Sequence, residues 1–403
     1  MKLAKRSAIP PSLTLAMNAK AKKLQSQGMD VISFAAGEPD FPTPEHIREA
    51  GKRAIDQNKT YYTPASGITE LKQAVARKLR QENGLEYTEQ EIVINSGAKH
   101  SVFNALAVLV EEGAEVIIPA PYWVSYPEMV SICGGTPVFV LATEDTGFKI
   151  TPEQLRGALS PRTRVLLLNS PCNPTGAVYS AQELSALAGV MEDRDVVIIS
   201  DEIYEKILYD GNRHVSIAAH SPTLKEKTLV VNGMSKAFSM TGWRIGYTAG
   251  PAPIIQAVSK LQGHTTGNPS SIAQWASLTG LSEDTGFISR WNEEFTRRRD
   301  YIVSELNGIP GVSCATPGGA FYVFPNAGGL MGRTLGGRKI QDSVDLADYL
   351  LDEGKIAAVP GKAFGADGYL RFSFATSKEN IVEGMKRMKE ALIGGSPGAW
   401  PGR

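Results

Sequence analysis

Short apolar runs recur through the middle of this chain, each followed by a turn and then a helical stretch, and they constrain its fold more than any other feature. They cover residues 91–95, 115–119, 137–141, 164–169, 195–200, 228–232 and 244–249. Most are continuous rather than alternating. A strand that is apolar at every position must be covered on both faces, and strands separated by helices run parallel. The pattern therefore specifies an α/β fold: a large domain with a mostly parallel sheet flanked by helices. From about residue 284 the pattern changes. A long charged helix is expected over 284–307, strands near 312–315 and 320–325, a glycine-rich loop at 326–338 and a helix at 344–353. A strand pair at 357–359 and 369–373 and a last helix at 378–392 complete a smaller α+β domain. Ahead of the sheet, residues 1–13 read as an extended arm, because Pro10 and Pro11 block a helix. Helices follow at 14–27, 45–57 and 68–83, with a short strand at 31–34. The Gly/Pro-rich tail 394–403 reads as disordered. The expected organisation is 1–45 as arm and part of the small domain, 46–285 as the large, ligand-binding domain and 286–403 as the small C-terminal domain.

Composition narrows the function. At 403 residues the chain has room for about two domains and a large core. Its 42 basic and 42 acidic residues balance, so neither nucleic acid nor an anionic membrane is indicated as a partner. Arg297-Arg298-Arg299 reads as a solvated or ion-paired helix face. Cys133, Cys172 and Cys314 lack paired spacing and the five histidines form no ligand-spaced pair. Neither a disulfide framework nor a metal site is expected, and a reducing, cytoplasmic setting fits. Residues 1–9 are basic but lack the apolar core of a secretory signal. The longest apolar stretch, 102–110, closes at Glu111 and Glu112, too short to cross a bilayer.

In open α/β sheets, ligands bind beyond the carboxyl ends of the strands. Polar residues gather just there: Gly97-Ala98-Lys99 after the first run, Trp123 after the second, Asn173 after the fourth, Asp201 and Tyr204 after the fifth, Ser235-Lys236 after the sixth. Each has an ordinary reading alone, as a turn, an N-cap or a core aromatic. Together at one sheet edge they mark a site. Lys236 lies among small and apolar residues, which lowers its pKa and frees the amine as a nucleophile. Arg244 supplies a fork for a phosphate. An amine and a phosphate fork are what pyridoxal 5'-phosphate needs. On that reading Asp201 keeps the pyridine nitrogen protonated, Asn173 and Tyr204 hold the ring oxygen, and Trp123 stacks on the ring. Arg244 and the Gly97–Lys99 amides take the phosphate. Arg371, flanked by apolar residues, grips an α-carboxylate or is an edge-strand surface residue. Gly37 lets backbone approach a ligand or serves only its turn.

Ordered motifs run along nearly the whole length of the chain. They are Ala36-Gly37-Glu38-Pro39-Asp40-Phe41, Tyr62-Thr63-Pro64-Ala65-Ser66-Gly67, Pro121-Tyr122-Trp123-Val124-Ser125-Tyr126-Pro127, Asn173-Pro174-Thr175-Gly176 and Asp201-Glu202-Ile203-Tyr204. Ser235-Lys236-Ala237-Phe238, Met240-Thr241-Gly242-Trp243-Arg244-Ile245-Gly246 and Arg371-Phe372-Ser373 follow in order. The chain resembles the class I pyridoxal-phosphate aminotransferases of fold type I, in the bacterial aspartate/prephenate branch. The resemblance implies a cytoplasmic enzyme that moves an amino group between an acidic amino acid, aspartate or glutamate, and a 2-oxo acid through a Schiff base on Lys236. It implies Ser235 among the cofactor contacts, and substrate contacts at Gly37, Lys99, Trp123, Asn173 and Arg371, with Lys99 on the distal carboxylate. It also implies a homodimer with shared active sites, Tyr62 reaching the neighbouring subunit's phosphate, and cis peptides before Pro121 and Pro174. Where relatives place a basic residue before the Pro-Ser-x-Thr segment, this chain has Ile9-Pro10, with Lys5 and Arg6 further upstream. A prephenate or broader aminotransferase, or a lyase with the same cofactor contacts, are the alternatives.

Overall fold

The computed structural model describes residues 3–393; the tail 394–403, expected to be disordered, lies outside the described residues. After β1 (Ile32–Ser33), the central strands are β2 (Ile92–Asn95), β3 (Glu115–Ala120), β4 (Thr136–Leu141), β5 (Thr163–Asn169), β6 (Val197–Asp201), β7 (Thr228–Gly233) and β8 (Gly246–Ala249). They form one seven-stranded sheet in the order β2-β8-β7-β6-β5-β3-β4. Only β8 runs against its neighbours. The mostly parallel sheet is thus the one expected from the apolar runs.

Alternate residues of one strand enter different cores. Val116 and Ile118 face one helix layer with Val102 and Leu106, while Ile117 faces the other with Leu184 and Leu187. Burial on both faces is why the runs are continuous. Each such side chain contributes about 1.5–3 kcal/mol. The chain passes from β3 out to β4 and returns to β5 on the other side of β3. The loops after β3 and β5 therefore part and open a crevice at the carboxyl edge.

The remaining strands are β9 (Tyr322–Val323), β10 (Thr334–Leu335), β11 (Arg338–Lys339), β12 (Ile356–Ala357), β13 (Val359–Pro360) and β14 (Leu370–Ser373). β13, β14 and β9 make an antiparallel sheet with Arg371 opposite Val359. β1 pairs in parallel with β12, which ties the N-terminal segment to the C-terminal elements. Helices Gly286–Asn307 and Lys378–Ile393 pack beside them.

Some details depart from expectation; within the arm read as extended, Lys5–Ser7 form a short 3-10 turn. Residues 312–315 form no strand; Ser313 makes a single bridge to Asn326. Asn307 bonds both the N–H and the C=O of Cys314, at 2.8 and 3.0 Å, and so replaces a ladder partner. The glycine-rich loop holds the short hairpin β10–β11, turning on Gly336 and Gly337 with φ of +52° and +81°. β8 starts at Gly246 because Arg244 is left-handed, with φ of +58°. Among the described residues no helix is long and apolar enough to cross a membrane.

Candidate active site

A cavity of about 400 Å³ opens at the carboxyl edge of the large sheet. Asp201, the last residue of β6, enters it because the ladder to β5 and β7 holds its backbone to that point. Its carboxylate accepts from Tyr126 Oη at 2.7 Å and from the Ile203 N–H at 3.2 Å. Burial nonetheless pushes it up to about 6, and these donors only temper the rise. Tyr126 opens the helix Tyr126–Ile132 and meets Trp123 edge-on, centroids 5.2 Å apart. Trp123 and Tyr126 both line the cavity.

Lys236 follows β7 and bonds the Gly37 carbonyl. Burial lowers its amine to about 8, with Glu38 pulling the other way and Arg371 and Arg244 adding to the fall. The strap around Gly37 is tied to the lysine loop at further points: Thr241 Oγ1 to Glu38 at 2.8 Å and Thr43 Oγ1 to the Ser239 carbonyl at 2.6 Å. Arg244 donates to the carbonyls of Thr241 and Ser96 at 2.9 and 3.1 Å. Its guanidinium lies directly on Gly97, where a Cβ would come within 2.8 Å of the guanidinium carbon. Gly97, at φ of +89°, caps the helix Ala98–Leu109, whose first amides have no intrahelical partner. Cation, amides and the neighbouring Ser235 make an anion cradle.

Arg371 is only 2% exposed. It donates to Asn173 Oδ1 and to the Ala35 carbonyl, both at 2.9 Å, and lies over the Tyr322 ring at 4.4 Å. Its Nε is buried without a partner. Burial lowers its proton affinity, opposed by Tyr322 and Tyr204. Asn173, holding Arg371 through its oxygen, keeps its amide N–H₂ for another acceptor. Asn169 orders that loop: its oxygen accepts from the Asn173 N–H and its nitrogen donates to the Asp201 carbonyl, both at 2.9 Å. Tyr204 Oη lies 2.8 Å from Tyr322 Oη. Lys99 stands at the cavity mouth, its side chain exposed overall, its ammonium 5.0 Å from the Trp123 ring centroid and its proton affinity lowered by partial desolvation of the amine and then by Arg244.

Of the residues expected at the site, Gly37, Ala98, Lys99, Trp123, Asn173, Asp201, Tyr204, Ser235, Lys236, Arg244 and Arg371 line this one cavity, and Gly97 lies beneath Arg244. Tyr62 does not; it is 97% exposed on the surface. The peptides before Pro121, Pro171 and Pro174 are cis. Sequence reasoning missed Tyr322, the Asp201 partner role of Tyr126, and Thr14, Leu15 and Asn18, which bring the first helix over the cavity. Tyr126 was visible in the motif after Pro121. Nothing local marks Tyr322.

The family model for aminotransferase class I and II matches residues 29–388. This chain belongs to that family. The aminotransferase is 48% identical to the aspartate aminotransferase of Geobacillus stearothermophilus, over 97% of this chain and 100% of the relative. It is also 48% identical to the aspartate/prephenate aminotransferase of Cereibacter sphaeroides, over 96% of this chain and 97% of that one. Among solved structures, the aspartate aminotransferase of Rhizobium meliloti superposes with a TM-score of 0.94 at 44% identity, covering 97% of this chain and 99% of its own. The Thermus thermophilus aspartate aminotransferase with maleate gives 0.92 at 43% identity, covering 97% and 100%. The fold of this aminotransferase is thus the fold of those enzymes.

Proposed function

We propose that this aminotransferase uses pyridoxal 5'-phosphate to move an amino group between aspartate or glutamate and 2-oxoglutarate or oxaloacetate, in two half-reactions. The observation that carries this is one cavity holding a lysine amine lowered to about 8 and a buried guanidinium whose Nε has no partner. The donor set fits the cofactor: an amine for its aldehyde, a cradle of Arg244, Gly97, Ala98, Lys99 and Ser235 for its phosphate, and a buried carboxylate beyond. When bound, pyridoxal 5'-phosphate supplies an aldehyde that takes up amines and a ring that withdraws electrons from the substrate's α-carbon.

Asp201, with its carboxyl at about 6, is mostly an anion at pH 7 and would hold the cofactor's ring nitrogen in its protonated form. Tyr126 keeps that carboxylate ionised and oriented. The Asn173 N–H₂ and Tyr204 Oη would hold the cofactor's ring oxygen, and Trp123 would hold its ring. Lys236, its amine lowered to about 8, is neutral often enough near pH 8 that it would take the substrate's α-proton and return it. The Gly37 carbonyl holds its ammonium form. Arg371, preset by Asn173 and Ala35, binds the α-carboxylate, and Lys99 at the mouth binds the distal one. The same pair of cations suits prephenate, itself a dicarboxylate, which the name of the Cereibacter relative includes. The maleate of the Thermus structure is a dicarboxylate too.

On this reading residues 46–285 are the cofactor-binding domain, and the described parts of 1–45 and 286–403 belong to the smaller one. The active form is a homodimer in which the exposed Tyr62 reaches the partner's phosphate site, and its setting is the cytoplasm. Steady-state kinetics of Lys99→Ala tests the acidic specificity. KM for aspartate and glutamate should rise about 10-fold or more while the weak rates with alanine and phenylalanine hold, since one charge-assisted contact is worth about 1.5–3 kcal/mol. Equal losses on all four would overturn it.

A further inference from the structure

Next to Asp201 in the chain lies a second group of buried charges, none of which lines the cavity. Glu202 is 1% exposed and accepts from Ser200 Oγ at 2.9 Å, Ser216 Oγ at 2.6 Å and His214 Nε2 at 2.9 Å. His214 Nδ1 is buried without a partner. One turn on, Glu205 pairs with Lys78 from the helix Thr69–Asn83 and accepts from Asn83 Nδ2 at 3.0 Å. Ligand atoms of Glu202, Glu205 and His214 lie within 4.8 Å of one another, but the Lys78 ammonium already supplies the cation against Glu205. Glu82 also reaches Lys78, at 3.5 Å, and pairs with Lys206 at 2.7 Å, so three carboxylates (Glu82, Glu202, Glu205) face two lysines and one histidine, and the cluster is neutral only when His214 carries its proton.

Glu202 is the chain neighbour of Asp201. We propose that Glu202 and His214 are a positioning pair for Asp201: the imidazolium neutralises the Glu202 carboxylate, which would otherwise drive Asp201 to take up a proton. Glu202 indeed acts on Asp201 in that direction, and His214 is held above its ordinary value, Glu202 and Glu205 outweighing burial and Lys78. These three are the principal charged groups facing His214; Tyr126, Glu202 and Lys236 are the principal ones facing Asp201. The Tyr87 hydroxyl, also buried unpaired, faces Glu202 as well. Losing the imidazolium and losing the carboxylate must therefore move Asp201 in opposite directions. A role in folding alone moves it in neither. The functional consequence rests on the cofactor reading of Asp201; the electrostatics does not.

The test is an infrared titration of the Asp201 carboxyl in the full-length chain freed of cofactor, with Asp201→Asn as the blank. Because no cofactor is present, this result and the cofactor reading can fail separately. His214→Gln should raise the midpoint by about half a pH unit or more, and Glu202→Gln should lower it by a similar amount. Ser216→Ala, which removes a donor but no charge, should move it far less. In the cofactor-loaded enzyme the acid limb of the pH–rate profile should follow the same order. Shifts of one sign in both charge variants, or none in either, would overturn the proposal. If either variant fails to fold, histidine NMR of the unaltered chain decides, with His214 expected doubly protonated at pH 7 and a neutral His214 contradicting it.

Discussion

Replacing Asp201 by Asn should destroy activity and stabilise the cofactor-free protein. The carboxylate is 4% exposed and raised from 3.8 to about 6, chiefly by burial. A folded-state value above the unfolded one means that the native state prefers the protonated form. Relative to a group that cannot ionise, Asp201 costs nothing below pH 4 and its full penalty above pH 6. Two units correspond to about 3 kcal/mol, a large part of the stability of an ordinary domain. Asn keeps an acceptor for the Ile203 N–H and can meet the Tyr126 hydroxyl in either sense. The assay is urea denaturation of the cofactor-free chain at pH 4.5 and pH 8, wild type against variant. The variant should gain about 3 kcal/mol at pH 8, and most of that gain should vanish toward pH 4. An equal effect at both pH values, or a loss at pH 8, would refute the reasoning. It would mean that Asp201 is not a carboxylate kept ionised at a cost to the fold.

Other substitutions probe the rest of the cavity. Arg371→Lys loses the two-pronged donation to Asn173 and Ala35; KM for amino acid donors should rise about 10- to 100-fold, while the affinity for cofactor, measured by titration of the free chain, stays put. Gly97→Ala forces a Cβ onto the Arg244 guanidinium at a backbone angle that disfavours it, so cofactor dissociation should be at least about 10-fold easier, with turnover recovering at saturating cofactor. Mixing Lys236→Ala chains with Tyr62→Ala chains should restore activity above either parent, because one site of each mixed dimer then has both residues intact. No gain on mixing would place Tyr62 outside its partner's site.

The sheet was legible because burial on both faces leaves continuous apolar runs, and the bounds of every run agree with its strand within two residues. The positions that line the cavity were legible for the same reason: Trp123, Asn173, Asp201 and Lys236 follow strands whose carboxyl ends share one edge. What escaped has no local signature. Tyr322 sits in a short strand of the smaller sheet, and only tertiary packing brings its hydroxyl to Tyr204. Thr14, Leu15 and Asn18 read as turns of an amphipathic helix, and which surface that helix covers is not written in its own pattern. The positive φ of Arg244 was hidden as well, since an apolar run after it reads as strand from the first residue. Residues 312–315 failed for another reason: the Asn307 side chain satisfies the backbone that a neighbouring strand would have paired.

The most direct measurement is an absorbance titration of the purified protein, loaded with pyridoxal 5'-phosphate, against L-aspartate, L-glutamate, L-alanine and L-phenylalanine. Wild type should bind the cofactor with a near-ultraviolet to visible band, lose that band at low aspartate or glutamate, and regain it on adding 2-oxoglutarate. Lys236→Ala should bind the cofactor without the wild-type band. A wild type with no such band, indistinguishable from Lys236→Ala, would contradict the account at its centre.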